Sequence, residues 1–116
     1  MVKTLKSLTE MLKPVKDALL SVSENVGRHF PIDGTKSHIV YYEDSEASEV
    51  AGDNKKILQA IQGSIDLYVK PEDISMFDDV QDALAGEGIS FRLNSTQINE
   101  TGVNGFIHFE WIFEVS

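Results

Sequence analysis

The chain has 116 residues, of which 41% are hydrophobic and 25% charged, enough for one hydrophobic core and a single domain over residues 1–116. It has no cysteine, which excludes disulfides, thiolate nucleophiles and thiolate metal sites together. A formal charge of −9 argues against binding nucleic acid through phosphate neutralisation, with or without sequence preference.

No apolar run approaches the roughly 18 residues of a membrane span, and the start, MVKTLKSLTE, lacks the apolar centre of a signal peptide. A soluble intracellular protein without membrane contact is expected. The charge is uneven along the chain. Residues 1–42 carry six Lys/Arg against four Asp/Glu, a balance of +2; residues 43–116 carry four against fifteen, a balance of −11. Such asymmetry suits head-to-tail contact between copies, and equally suits a merely soluble acidic surface.

Leu5, Leu8, Leu12, Val15, Leu19 and Val22 recur in steps of three and four, which places them on one stripe of a helix over about 5–25. Ser7 and Glu10 have the spacing of a capping box. Pro14 is expected to kink or restart the helix, because its ring clashes with the preceding turn and it donates no amide proton. Residues 30–37 (FPIDGTKS) are turn chemistry. His38-Ile39-Val40-Tyr41-Tyr42 then reads as a strand. Glu43 to Asn54 (EDSEASEVAGDN) holds five acidic residues and one large apolar side chain, too little burial to offset ordering, and is read as a mobile acidic loop.

Lys56 to Lys70 alternates, with Ile57, Ile61, Ile65, Leu67 and Val69 on one parity and polar residues on the other, as in a strand with one buried face. Gly63 inside it suggests a bulge or a close backbone approach. Pro71-Glu72-Asp73 opens a second helix, with proline and acids where the helix dipole favours them. Ile74, Phe77, Val80 and Leu84 form its apolar face, and Gly86 and Gly88 end it. Ile89, Phe91 and Leu93 alternate as a third strand, and Asn104-Gly105 signals a hairpin. The last strand, Phe106 to Val115, is the most regular: Ile107, Phe109, Trp111, Phe113 and Val115 share one face, each worth up to roughly 1.5–3 kcal/mol on burial. The expected fold is therefore α+β in the order α-β-β-α-β-β, with a mainly antiparallel four-stranded sheet and two helices packed on one face.

Few residues point to chemistry. His108 and Glu110 lie two apart on a strand, hence on one face, and could be two ligands of a metal, but no third ligand is evident from spacing. His29 and His38 flank a turn without a serine or cysteine motif to pair with. Nineteen carboxylates make an acid–base pair conceivable and prevent any one pair from standing out. The glycines form no phosphate-cradling or dinucleotide fingerprint, and the acids of 43–53 lack the pattern of a calcium loop. No catalytic residue, cofactor or metal is assigned.

Several segments together resemble the tail-terminator, or tail-completion, proteins of long-tailed phages and related prophage minor structural proteins. They are Leu12-Lys13-Pro14-Val15-Lys16-Asp17-Ala18-Leu19, His38-Ile39-Val40-Tyr41-Tyr42-Glu43, Ala51-Gly52-Asp53-Asn54 and Gln62-Gly63-Ser64-Ile65-Asp66-Leu67-Tyr68-Val69-Lys70. Ala83-Leu84 before Gly88, and Gly105-Phe106-Ile107-His108-Phe109-Glu110-Trp111, complete the set. The resemblance spans most of the chain; Pro14 departs from the family's general pattern.

It implies a virion structural protein forming a ring, expected to be a hexamer, that stops tail-tube growth and meets the head-side connector. Its partners would be its own copies, the tail tube protein and the head–tail connector protein, in the tail or neck of a virion assembled in the bacterial cytoplasm. A neighbouring head-closure role stays open. Candidate contacts with copies or partners are Glu43, Asp44, Glu46, Glu49, Asp53, Asp66 and Tyr68. Two rival readings differ in class. An acidic nucleic-acid mimic inhibiting a DNA-processing enzyme would draw on the charge and on Glu72, Asp73, Asp78, Asp79 and Asp82; a small enzyme would need a convergent polar pocket.

Overall fold

The computed structural model describes residues 7–46, 60–98 and 105–116. Helix α1 spans Leu8–Val22. Ser7 caps it, its hydroxyl oxygen accepting the Glu10 amide at 3.2 Å. The same hydroxyl donates to Glu10 Oε1, so the two residues interact at the helix start without the reciprocal bond of a full capping box. Pro14 lies inside this one helix, so of the kink or restart expected there the restart does not occur. A proline within a helix costs about 3 kcal/mol, and the stripe of Met11, Leu12, Val15, Ala18 and Leu19, all buried, offsets it.

The sheet has five strands: β1 (Val26–Arg28), β2 (His38–Glu46), β3 (Ile61–Val69), β4 (Ser90–Ile98) and β5 (Ile107–Val115). Their spatial order is β1-β2-β3-β5-β4. β2 pairs antiparallel with β3, β4 with β5, and β3 with β5. The expectation of four antiparallel strands is corrected by β1, which adds a fifth strand parallel to β2, Val26 opposite Ile39. Parallel neighbours ordinarily need a long crossover; here one side chain holds a short one. Asn25 donates to the carbonyls of Asp33 (2.9 Å) and Ser37 (3.0 Å) and accepts the Asp33 amide (3.0 Å).

A second correction concerns the acidic segment. Glu43, Asp44, Ser45 and Glu46 continue β2, paired with Gly63, Gln62 and Ile61 across a bulge between Glu43 and Ser45. Ladder hydrogen bonds and two side-chain partners outweigh the unfavourable composition there. The rest of the predicted loop, including Glu49 and Asp53, lies outside the described residues, as do residues 56–59 of the predicted long strand, Leu5 and Asn104. Gly63 sits at a close approach as expected. A Cβ there would overlap the Tyr42 carbonyl oxygen and stand 2.5–2.6 Å from the Phe113 ring, and the bulge falls in the strand opposite.

After β3, Pro71–Asp73 forms a single 3-10 turn rather than the start of an α-helix, and helix α2 covers Met76–Gly86. Its end is a Schellman motif: Gly88 has φ +70°, its amide reaches Ala85 O, and the Ile89 amide reaches Leu84 O. Both helices cover one face, over Ile39, Ile65, Leu67, Val69, Trp111, Phe113 and Val115. Helix α1 lies toward β1 and β2. Helix α2 lies toward β5 and β4, where Gln81 Oε1 accepts the Trp111 indole N–H at 3.1 Å and Phe77 packs against Phe109 and Trp111. Ile74, expected on the apolar face of α2, stands before the helix and is exposed, as is Leu93 on the edge strand β4. Among the described residues no helix is long and apolar enough to cross a membrane.

Candidate functional site

The sheet presents a second face that no helix among the described residues covers, and the even-numbered residues of β2, β3 and β5 meet there. Strand alternation puts His38, Val40 and Tyr42, Ser64, Asp66 and Tyr68, and His108 and Glu110 on one surface. Ring stacking organises it: His38 lies 4.8 Å from Tyr68, which lies 4.2 Å from His108, all nearly parallel, and Phe106 meets His38 edge-on. His38 Nδ1–H donates to the Lys36 carbonyl at 2.7 Å, which fixes the outer ring.

At the centre, Asp66 and Glu110 are direct cross-strand partners, and His108 is the residue diagonal to Asp66. His108 Nε2 lies 2.7 Å from Asp66 Oδ1, and Asn94 Nδ2 donates to Glu110 Oε1 at 2.7 Å. One ligand atom from each of Asp66, His108 and Glu110 falls within 4.8 Å of the others. Asp66 is buried, with 6% exposure. Burial pushes its carboxyl above the usual carboxylate range; His108 opposes that rise and Glu110 adds to it. Two clefts flank the cluster. One is lined by His29, Pro31, His38, Val40, Tyr42, Asp66 and Tyr68, the other by Tyr68, Gln97, Ile98, Phe106 and His108.

The predicted contact residues therefore separate into two groups. Asp66, Tyr68 and Asp44 share the open face, Asp44 Oδ2 accepting the hydroxyl of buried Ser64 at 3.0 Å. Glu43 turns to the opposite side, beside β1. Arg28 grips it with two hydrogen bonds, 2.7 Å to Oε1 and 3.2 Å to Oε2, and His29 Nε2 stands 3.3 Å away. Glu46 ends β2.

Partial burial raises the Glu43 carboxyl, but the Arg28 hydrogen bonds and charge outweigh it and hold the group below its ordinary value. A depressed carboxyl contributes stability that is present above its unfolded value and lost as pH falls through its folded value. Glu43→Gln is thus expected to cost about 1 kcal/mol near neutrality, with the difference from wild type closing below about pH 4.3. Urea titrations of both proteins from pH 7 to pH 3 check this; a difference that widens in acid contradicts the pairing.

Sequence reading missed an apolar groove of about 620 Å³ between α1 and the β1–β2 edge. Leu12, Val26 and Tyr41 line it, with Leu20, Phe30 and Ile32 at its rim. Phe30 is 77% exposed, Ile32 70% and Leu20 43%. Lys13, Lys16 and Arg28 stand around it together with Glu10 and Asp17; Lys13 pairs with Asp17 and Arg28 with Glu43. The signal was present in Phe30-Pro31-Ile32, two large apolar residues in a turn that gives them nothing to pack on. Comparison with models of known protein families finds none that matches, and comparison with curated proteins finds no match either.

Proposed function

We propose that this protein is a phage or prophage virion structural component that closes head-to-tail into a ring, caps the tail tube and joins it to the head connector. The observation that carries this reading is the exposed apolar groove at the β1 edge. Large apolar side chains left in water beside a sheet edge mark a contact surface. The opposite edge of the same molecule complements it: α2 exposes Asp78, Asp79 and Asp82, and β4 exposes Leu93 and Ile98. An apolar groove on one edge and a partly apolar surface on the other make a heterologous pair, which closes into a ring when the rotation between copies permits.

The sequence resemblance to tail terminators supplies the biological setting: the tail or neck of a virion, assembled in the host cytoplasm, with the tail tube and the connector as neighbours. The acidic charge of such a ring would keep passing DNA from adhering, because it repels phosphates.

Light scattering over a concentration series tests the contact. Wild type is expected to rise above monomer mass at high concentration, and Phe30→Asp combined with Ile32→Asp to stay monomeric. Both side chains are mostly exposed, so the fold of the double variant should lose no more than about 0.5 kcal/mol for each exposed change. Assembly by the variant equal to wild type removes the groove from the interface.

A further inference from the structure

The pairing of β3 with β5 brings together groups that sequence spacing keeps 42 residues apart. Asp66 and Glu110 face each other across the ladder, His108 closes the third corner, and the three ligand atoms fit within 4.8 Å. Two ligands of one first-row metal, each at about 2.0–2.2 Å from it, stand roughly 3 Å apart. His108 Nε2 and Asp66 Oδ1 lie 2.7 Å apart as a hydrogen-bonded pair, and need only give up the shared proton and move slightly apart to form such an edge. Second contacts hold the ligands in place, as metal sites require. Tyr68 stacks on the His108 ring, and Asn94 holds one oxygen of Glu110.

Charge points the same way. Asp66 is more than nine-tenths buried, and among the described residues no lysine or arginine forms an ion pair with Asp66 or Glu110. A buried carboxylate beside a second carboxylate ordinarily has a cationic partner. Among the described residues the basic group paired with Asp66 is His108, which carries charge only when protonated.

We propose that Asp66, His108 and Glu110 form a binding site for a divalent first-row transition-metal ion, clasping β3 to β5 on the open face of the sheet. One imidazole and two carboxylates suit zinc, and manganese or iron more weakly, better than an all-oxygen ion such as calcium. Three protein ligands leave the ion at least one further position, which the flanking clefts open to water or to a ligand from outside the chain. The site is independent of ring closure.

Calorimetric titration of chelator-treated protein with zinc chloride tests it, with cobalt chloride as a spectroscopic probe. One zinc per chain is expected, with a rise in melting temperature and visible cobalt bands of a low-symmetry nitrogen–oxygen site. Asp66→Asn and His108→Gln should each weaken zinc binding at least tenfold and abolish the cobalt bands, while folding as judged by circular dichroism without metal. His29→Gln, at the rim of a cleft and outside the cluster, should bind like wild type. Absence of binding up to millimolar zinc overturns the site, as does equal binding by the Asp66 and His108 variants. Zinc that tracks His29 instead would mark surface adsorption and equally overturn it.

Discussion

Trp111→Ala is expected to lower stability by about 3–5 kcal/mol, the usual cost of truncating a large aromatic side chain in a packed core. Trp111 has no exposed surface. It sits mid-strand in β5, opposite Ile65 on β3 and Leu93 on β4. Phe77 from α2 and Phe109 from its own strand pack on the indole, and Gln81 accepts its N–H. The substitution therefore opens a cavity and removes the hydrogen bond to Gln81 Oε1, in a molecule whose net stability is of the same order as the loss. Urea unfolding followed by circular dichroism measures it. A variant with near wild-type stability would move Trp111 from the protomer core to an interface between copies.

Gly63→Val should be nearly as damaging, at about 3 kcal/mol. The obstacle is backbone as well as side chain: the added Cβ would overlap the Tyr42 carbonyl oxygen and crowd the Phe113 ring. Phe113, itself buried, cannot swing away without displacing its neighbours, and Tyr42 is held by the β2–β3 ladder beside the bulge. The same urea titration reads the effect. A loss below about 1 kcal/mol would mean that strand β2 stands further from β3 than the ladder requires.

These two positions also indicate where sequence reading succeeded. β5 was legible because its alternation is unbroken from Ile107 to Val115, and one face of it is the core. The α1 stripe and the end of β3 before Pro71 were legible for similar reasons of period and punctuation. β1 was not: three residues, Val26 to Arg28, carry no measurable period, and their strand status depends on β2 lying alongside. The extension of β2 through Glu43 to Glu46 was hidden by composition, since what holds it is the ladder, the Arg28 grip on Glu43 and the Ser64–Asp44 bond.

The open-face cluster was half legible. His108 and Glu110 share a face by strand period alone, but Asp66 joins them only through the β3–β5 register, which no local pattern fixes. Of the candidate contacts, Asp44, Asp66 and Tyr68 do share a surface, whereas Glu43 turns to the other side of the sheet. The groove rimmed by Phe30 and Ile32 was illegible for a different reason: turn chemistry around Pro31 and Asp33-Gly34 explained the segment without asking where its apolar side chains would go.

Electron microscopy of the purified protein tests the proposed head-to-tail ring closure most directly. Negatively stained samples prepared from millimolar solution, alone and mixed with phage tail tubes, should contain closed rings of one copy number, seated at tube ends in the mixture. Dispersed monomers in both samples, with bare tube ends, would contradict it.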